Sequence, residues 1–146
     1  MAVPDEVAEL LDGSVEVGAQ EQAFPFITVD AHGYPHAALL SRVEMEVGPD
    51  RADIRAALRS ARTRANLERQ GRALLIAVGG QTAHYVKMRL ERSEVTHDLL
   101  ACVFEVVDHT ADSLGISLTP IGYRADAGIA RAERWDLTVD ALRDLH

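Results

Sequence analysis

Seven arginines fall within residues 51–72: Arg51, Arg55, Arg59, Arg62, Arg64, Arg69 and Arg72. Only Asp53 and Glu68 oppose them, so this window carries +5 while the rest of the chain carries −13 of a net −8. A basic island in an acidic protein suits a small anionic ligand. Duplex DNA would demand a broad positive face to release counterions. No aromatic residues interleave the arginines to stack on single-stranded bases, so no nucleic-acid partner is expected. Within the island, Ser60-Ala61-Arg62-Thr63-Arg64 sets hydroxyls and guanidiniums at the start of a helical pattern. Free N–H groups and the helix dipole make such a start a phosphate site, and forked guanidinium donors match a phosphate dianion.

The other reactive side chains read more plainly. Cys102 is the sole cysteine and lies in the apolar run LLACVFEVV, which excludes an intrachain disulfide or a CxxC metal site and reads as a small buried hydrophobe. Asp30, His32 and His36 have metal-ligand chemistry, but Gly33 and Pro35 break any helix that would align them. They read as solvated turn residues, and no metal site is expected. His84 reads as a structural strand histidine, Asp108-His109 with Asp112 as polar loop tips, and Arg89, Glu91 and Arg92 as a charged face. The sequence holds no Walker loop, GxGxxG, GxSxG or HExxH.

These residues need a scaffold. Residues 4–12 read as a short helix, with Pro4 in the first turn, acids after it, and Gly13 to end it. Residues 23–29 read as a strand, 30–35 as a turn rich in Asp, Gly and Pro, and 36–47 as a second strand. Residues 50–70 allow two readings. Ile54, Leu58, Ala61 and Ala65 recur at helical spacing, which makes one long helix; the alternative is a strand over 52–58, a break near Ser60 and a helix over 61–70. Gly71 suits the residue just past that helix. Strands follow at 72–78, 82–95 and 101–107, then an edge or bulged strand at 116–123 around Pro120. Residues 130–135 read as irregular and 137–145 as a closing helix. Several strands with few crossover helices exclude a parallel sheet and fit a closed antiparallel barrel with appended helices. The chain of 146 residues suits one domain, 1–146, able to bury a substantial core. The N-terminus has acids where a signal peptide has bases, and no apolar run reaches membrane-spanning length, so a soluble, cytoplasmic protein with no membrane partner is expected.

The ordered segments PFITVDAHGYPHAALLSRVEMEV, SARTRANLERQGRALLIAV, TAHYVKMRLERSEV and VFEVVDHTADSLGISLTPIGYRA resemble the pyridoxamine 5′-phosphate oxidase-like, FMN-binding split-barrel family over roughly residues 22–124. The resemblance selects the strand-plus-helix reading of 50–70. It implies a mainly β (α+β) fold, an antiparallel split β-barrel with short flanking helices. It also implies a homodimer with FMN at the interface. Carried onto this chain, Leu39, Leu40, Ser41 and Arg42 would lie beside the isoalloxazine ring. Ser60, Arg62 and Thr63 would hold the phosphate, with Arg59 and Arg64 as helpers, and Tyr85 would approach the ring or the neighbouring subunit.

Two departures set this chain apart from the true oxidases: Ala38 stands where arginine is common, and Thr63 where a lysine is usual, in a chain whose single lysine is Lys87. Residues 125–146 do not match the oxidases' substrate segment. The implied function is therefore flavin-dependent redox chemistry on an unknown small-molecule substrate, with catalytic residues unassigned. The alternative is a non-catalytic module that binds or senses flavin, F420 or haem, with His36 and His84 as candidate haem ligands.

Overall fold

A computed structural model describes residues 1–12, 15 and 17–145. The N-terminal helix α1 spans Asp5–Leu11, with Pro4 at its cap and Asp5 and Glu6 against the positive end of its dipole. Its buried side, Val7, Ala8 and Leu11, joins the main core. Gly13, expected to end it, lies outside the described residues.

Nine strands follow among the described residues. β1 (Gln20–Gln22) and β9 (Gly122–Arg124) form a small ribbon. The other seven are β2 (Phe24–Val29), β3 (Pro35–Leu40), β4 (Met45–Val47), β5 (Ile54–Leu58), β6 (Arg72–Gly79), β7 (Thr82–Thr96) and β8 (Leu99–Ser113). They make one antiparallel sheet in the order β3-β2-β6-β7-β8-β5-β4. The sheet curls around a core that includes Phe24, Phe26, Ile54, Leu58, Leu75, Val86, Met88 and Phe104. Strands β3 and β4 are consecutive in the chain yet stand at opposite edges of the order. The barrel is thus split, as the family resemblance implies, and not closed as the strand pattern alone suggested; Ser41–Glu44 bridges the seam.

Local chemistry explains most of the connections. The β2–β3 turn is held by Asp30 Oδ1, which accepts the His32 and Tyr34 N–H groups at 2.9 Å each, while Gly33 takes φ +86°. The Tyr34 N–H, above all, holds the Asp30 carboxyl below its usual range. Helix α2 (Ala61–Gln70) starts at Ser60, whose hydroxyl accepts the Thr63 N–H at 3.3 Å, and stops at Gly71 with φ +64°. The long β7–β8 hairpin turns on His97 and Asp98, both at positive φ, as a two-residue hairpin requires. On the inner face, Asn66 of α2 donates to the Thr28 hydroxyl at 2.9 Å, so two buried polar groups satisfy each other.

The strand-plus-helix reading of 50–70 holds, and the single long helix does not form. Residues 54–58 pair on both flanks, with β4 (Met45 to Ala56) and with β8 (Ile54 to Phe104, Leu58 to Leu100). Sheet pairing overrides the local helical spacing. Four local expectations fail. Asp108, His109 and Asp112, read as polar loop tips, lie within β8 and pair with Lys87, Val86 and Ala83 of β7. The strand over 36–47 is broken by a 3-10 turn at Arg42–Glu44, because Ser41 and Glu44 cap one another there. The strand over 116–123 survives only as β9, since Pro120 lacks an N–H and Ile116 and Ile121 are exposed. Residues 130–135 are largely helical: α3 (Ala127–Ala132), capped by Asp126, runs into α4 (Trp135–Arg143) through Arg134 at positive φ. α4 packs Ala141 and Leu142 on the opposite side of β8, against Leu99, Ala101 and Val103.

Candidate functional site

A cleft of about 390 Å³ opens at the seam of the split barrel. Four segments wall it: the end of β3 with the Ser41–Glu44 bridge, the β5–α2 junction, the approach to β9, and the α3–α4 arm. The α2 end is built by Leu58, Arg59, Ser60 and Thr63. Thr63 is only 1% exposed, and its hydroxyl Oγ1 is buried with no hydrogen-bond partner. Its backbone N–H is already donated to Ser60. A buried orphan hydroxyl costs about 1–3 kcal/mol, and one placed at a helix start beside a cleft could be satisfied by a ligand oxygen.

The opposite end carries acids and aromatic rings. Ser41 gives both its N–H and its hydroxyl to Glu44 Oε1, at 3.0 and 3.1 Å. Burial pushes the Glu44 carboxyl above its ordinary range, the Ser41 donors partly offset this, and the charge of Glu133 pushes it up again. Tyr123 Oη is buried and finds no partner in hydrogen-bond geometry, although the Ser41 hydroxyl is near enough to favour the phenolate. Burial dominates and raises the phenol's pKa. Gly122 leads into this wall: a side chain there would press on Gln20 Nε2 at 2.9 Å and on the Glu21 carbonyl at 3.2 Å. Arg59 ties the arm to the barrel, donating to the Glu133 carbonyl and, at 3.5 Å, to the Thr138 hydroxyl.

One prediction follows from Glu44. A carboxyl whose pKa is raised on folding binds its proton more tightly in the folded state, so its contribution to stability is lost as pH rises through the carboxylate range. Glu44→Gln retains an acceptor for Ser41 without the buried charge. Urea unfolding of both proteins should show the variant gaining relative to wild type between pH 4 and pH 7. A constant difference across that range would refute the burial of this charge.

The structure brings Leu39, Leu40, Ser41, Ser60 and Thr63 to one cleft. Leu39 is 55% exposed at its mouth, while Leu40 and Ser41 are buried. The remaining three expected residues stand elsewhere. Arg42 donates to Glu21 Oε1 at 2.8 Å and to the Asp12 carbonyl at 2.7 Å, and lines a second hollow beside α4. Arg62 is exposed on the first turn of α2, outside the cleft lining. Tyr85 pairs with Ile76 on the outer sheet face. His36 and His84 also lie outside the lining. His84 is buried at the far end, where its Nδ1 meets His109 Nε2 at 3.0 Å and its Nε2 meets Glu6 at 3.4 Å. Cys102 is buried, and burial pushes its thiol up to about 12. Among the described residues no group of three or more His, Cys, Asp or Glu could hold a metal ion, and no helix is long and apolar enough to cross a membrane.

Sequence reasoning missed Glu44, Tyr123, Glu133 and Trp135. The Ser41-x-x-Glu44 spacing is a readable capping box and could have found the first. The other three reach the cleft through a segment whose path depends on packing.

The fold defines the class: an antiparallel split barrel. It is shared with HupZ of Group A Streptococcus, at TM-score 0.58 and 14% identity over 80% of this chain and 99% of that one. An F420 reductase aligns at TM-score 0.55 and 12% identity, over 74% and 98%. The styrene monooxygenase flavin reductase SMOB of Pseudomonas putida S12 aligns at 0.54 and 10%, over 64% and 83%. No protein-family model matches the chain. The chain is 38% identical over 146 residues to the uncharacterized protein YclD of Bacillus subtilis (strain 168), covering 95% of this chain and 94% of that one, and it belongs to the YclD family.

Proposed function

We propose that this chain is a flavoprotein of the pyridoxamine 5′-phosphate oxidase-like type, binding FMN in the seam cleft for small-molecule redox chemistry. The observation that carries the reading is the orphaned Thr63 hydroxyl at the start of α2. A phosphate there satisfies it together with the Ser60 hydroxyl and the free N–H groups of the first turn. Arg62 on the same turn supplies attraction from outside the lining, and Arg59 stands at the rim. Leu39, Leu40 and Ser41 offer an edge for the ring, apolar with a few polar groups, as ligand clefts generally are. Arg42 acts in the barrel through Glu21, so any contact with the ring from that position comes from its backbone.

FMN, when bound, supplies hydride and electron transfer between a nicotinamide donor and the acceptor. The chain's own residues bind the phosphate, position the ring and exclude water. Structural similarity to a flavin reductase and an F420 reductase fits this reading and makes F420 the alternative cofactor. The outer sheet face supports a homodimer: Ile27, Leu74, Ile76 and Tyr85 are only half-buried there and Leu39 and Val107 are exposed. A second copy would cover them and bring Tyr85 toward the neighbouring site.

The test is a visible absorption spectrum after incubation with FMN and removal of the excess, with F420 in parallel. Flavin bands that stay with the protein are expected, followed by oxidation of reduced nicotinamide. A protein that retains neither compound overturns the reading, and one that keeps FMN without turnover is a binding module.

A further inference from the structure

The two ends of the cleft differ in chemistry. At the α2 end are hydroxyls and N–H groups. At the other are two carboxyls, Glu44 and Glu133, beside the rings of Tyr123 and Trp135 and the apolar side chain of Ile129. Among the described residues neither carboxylate has an ion-pair partner. Arg59 reaches across from the α2 end to the Glu133 carbonyl and Thr138, keeps its positive charge and acts on Glu44 through space. Both Ser41 donors converge on Glu44 Oε1, which leaves Oε2 uncommitted. Two carboxylates against one guanidinium leave an excess of negative charge in a cleft also lined by Trp135, an environment suited to a planar cation: a carboxylate takes its N–H groups and an aromatic ring its positive face. The buried, unpartnered Thr63 hydroxyl in the same cleft independently marks the cavity as one that receives a ligand.

We propose that the acid end of the cleft, Glu44 and Glu133 beside Trp135, is the substrate subsite and takes a flat ligand bearing a cationic nitrogen, as an amidinium, a protonated amine or a protonated N-heterocycle. This rests on the cleft being the cofactor site proposed above, with the cofactor's phosphate at the α2 end and the substrate at the other. The aromatic wall sets the plane of the ligand, and the carboxylates select its charge.

Trp135 is the only tryptophan of the chain, so its emission reports on this subsite. Benzamidine, benzyl alcohol and benzoate share a ring and differ in charge. Each is titrated into the full-length protein, with binding read by Trp135 emission and by calorimetry. Benzamidine should bind saturably and at least tenfold more tightly than benzoate. Glu133→Gln should weaken benzamidine at least fivefold, and Glu133→Asp should restore part of the loss. Glu133 is exposed, so these variants should fold. Equal binding of benzoate and benzamidine, no binding of either, or indifference to Glu133→Gln overturns the proposal. FMN retention is measured on the same samples. Charge-ordered binding without FMN retention would sink the cofactor reading alone; FMN retention without charge-ordered binding would sink the subsite alone.

Discussion

Thr63→Val is expected to make the ligand-free protein more stable and a poorer FMN binder. The two effects share one cause. The Thr63 hydroxyl is buried without a partner, so the folded state carries an unmet desolvation cost. Valine has nearly the same shape and no polar atom. The Ser60 cap is untouched, because it uses the Thr63 backbone N–H. Removing the orphan should stabilise the free protein by about 1–3 kcal/mol, or a few degrees in melting temperature for a chain of this size. With FMN the sign reverses. A hydrogen bond to a charged phosphate contributes about 1.5–3 kcal/mol, so affinity should fall by roughly ten- to hundredfold. Urea unfolding of the free protein and fluorescence titration with FMN measure the two sides. A variant that is less stable and binds FMN as before would show that this hydroxyl has only a structural role.

Phe104→Ala should be among the most destabilising single changes in the chain. Phe104 on β8 is fully buried and meets Phe26 of β2 edge to face, with centroids 5.6 Å apart and planes at 62°. The pair spans the interior of the curled sheet and joins strands far apart in its order. Truncation leaves a cavity and costs about 3–5 kcal/mol, a large part of the roughly 5–15 kcal/mol that holds a domain folded. Urea unfolding should show the loss as a lower midpoint at similar slope. A double-mutant cycle with Phe26→Leu should return about 0.5–1.5 kcal/mol of coupling for the ring pair. A cost near 1 kcal/mol for Phe104→Ala would contradict the packing described.

Features that a few neighbouring residues control can be read directly along the chain. Asp30 and Gly33 specify their turn through one carboxylate and one positive φ. Ser60 and Gly71 mark the ends of α2, and alternation along β7 sorts His84, Val86 and Met88 to the inside. Ser60 and Thr63 were legible as candidates for an anion site because hydroxyls at a helix start carry that chemistry in their spacing alone, and the fold puts both on one cleft. The choice between helix and strand at 54–58 was open to local periodicity and was decided by β4 and β8 on either flank. The partner of the Arg42 side chain, Glu21, lies twenty-one residues earlier and no local pattern pairs the two. Glu133 and Trp135 reach the cleft only because α4 docks on β8 through Ala141 and Leu142. Capping, turn geometry and side-chain alternation act over a few residues and can be read in order along the chain. Strand partners, ion pairs between distant segments and the wall of a cleft depend on burial of surfaces remote in sequence, so they emerge when the sheet closes over its core and not from local pattern.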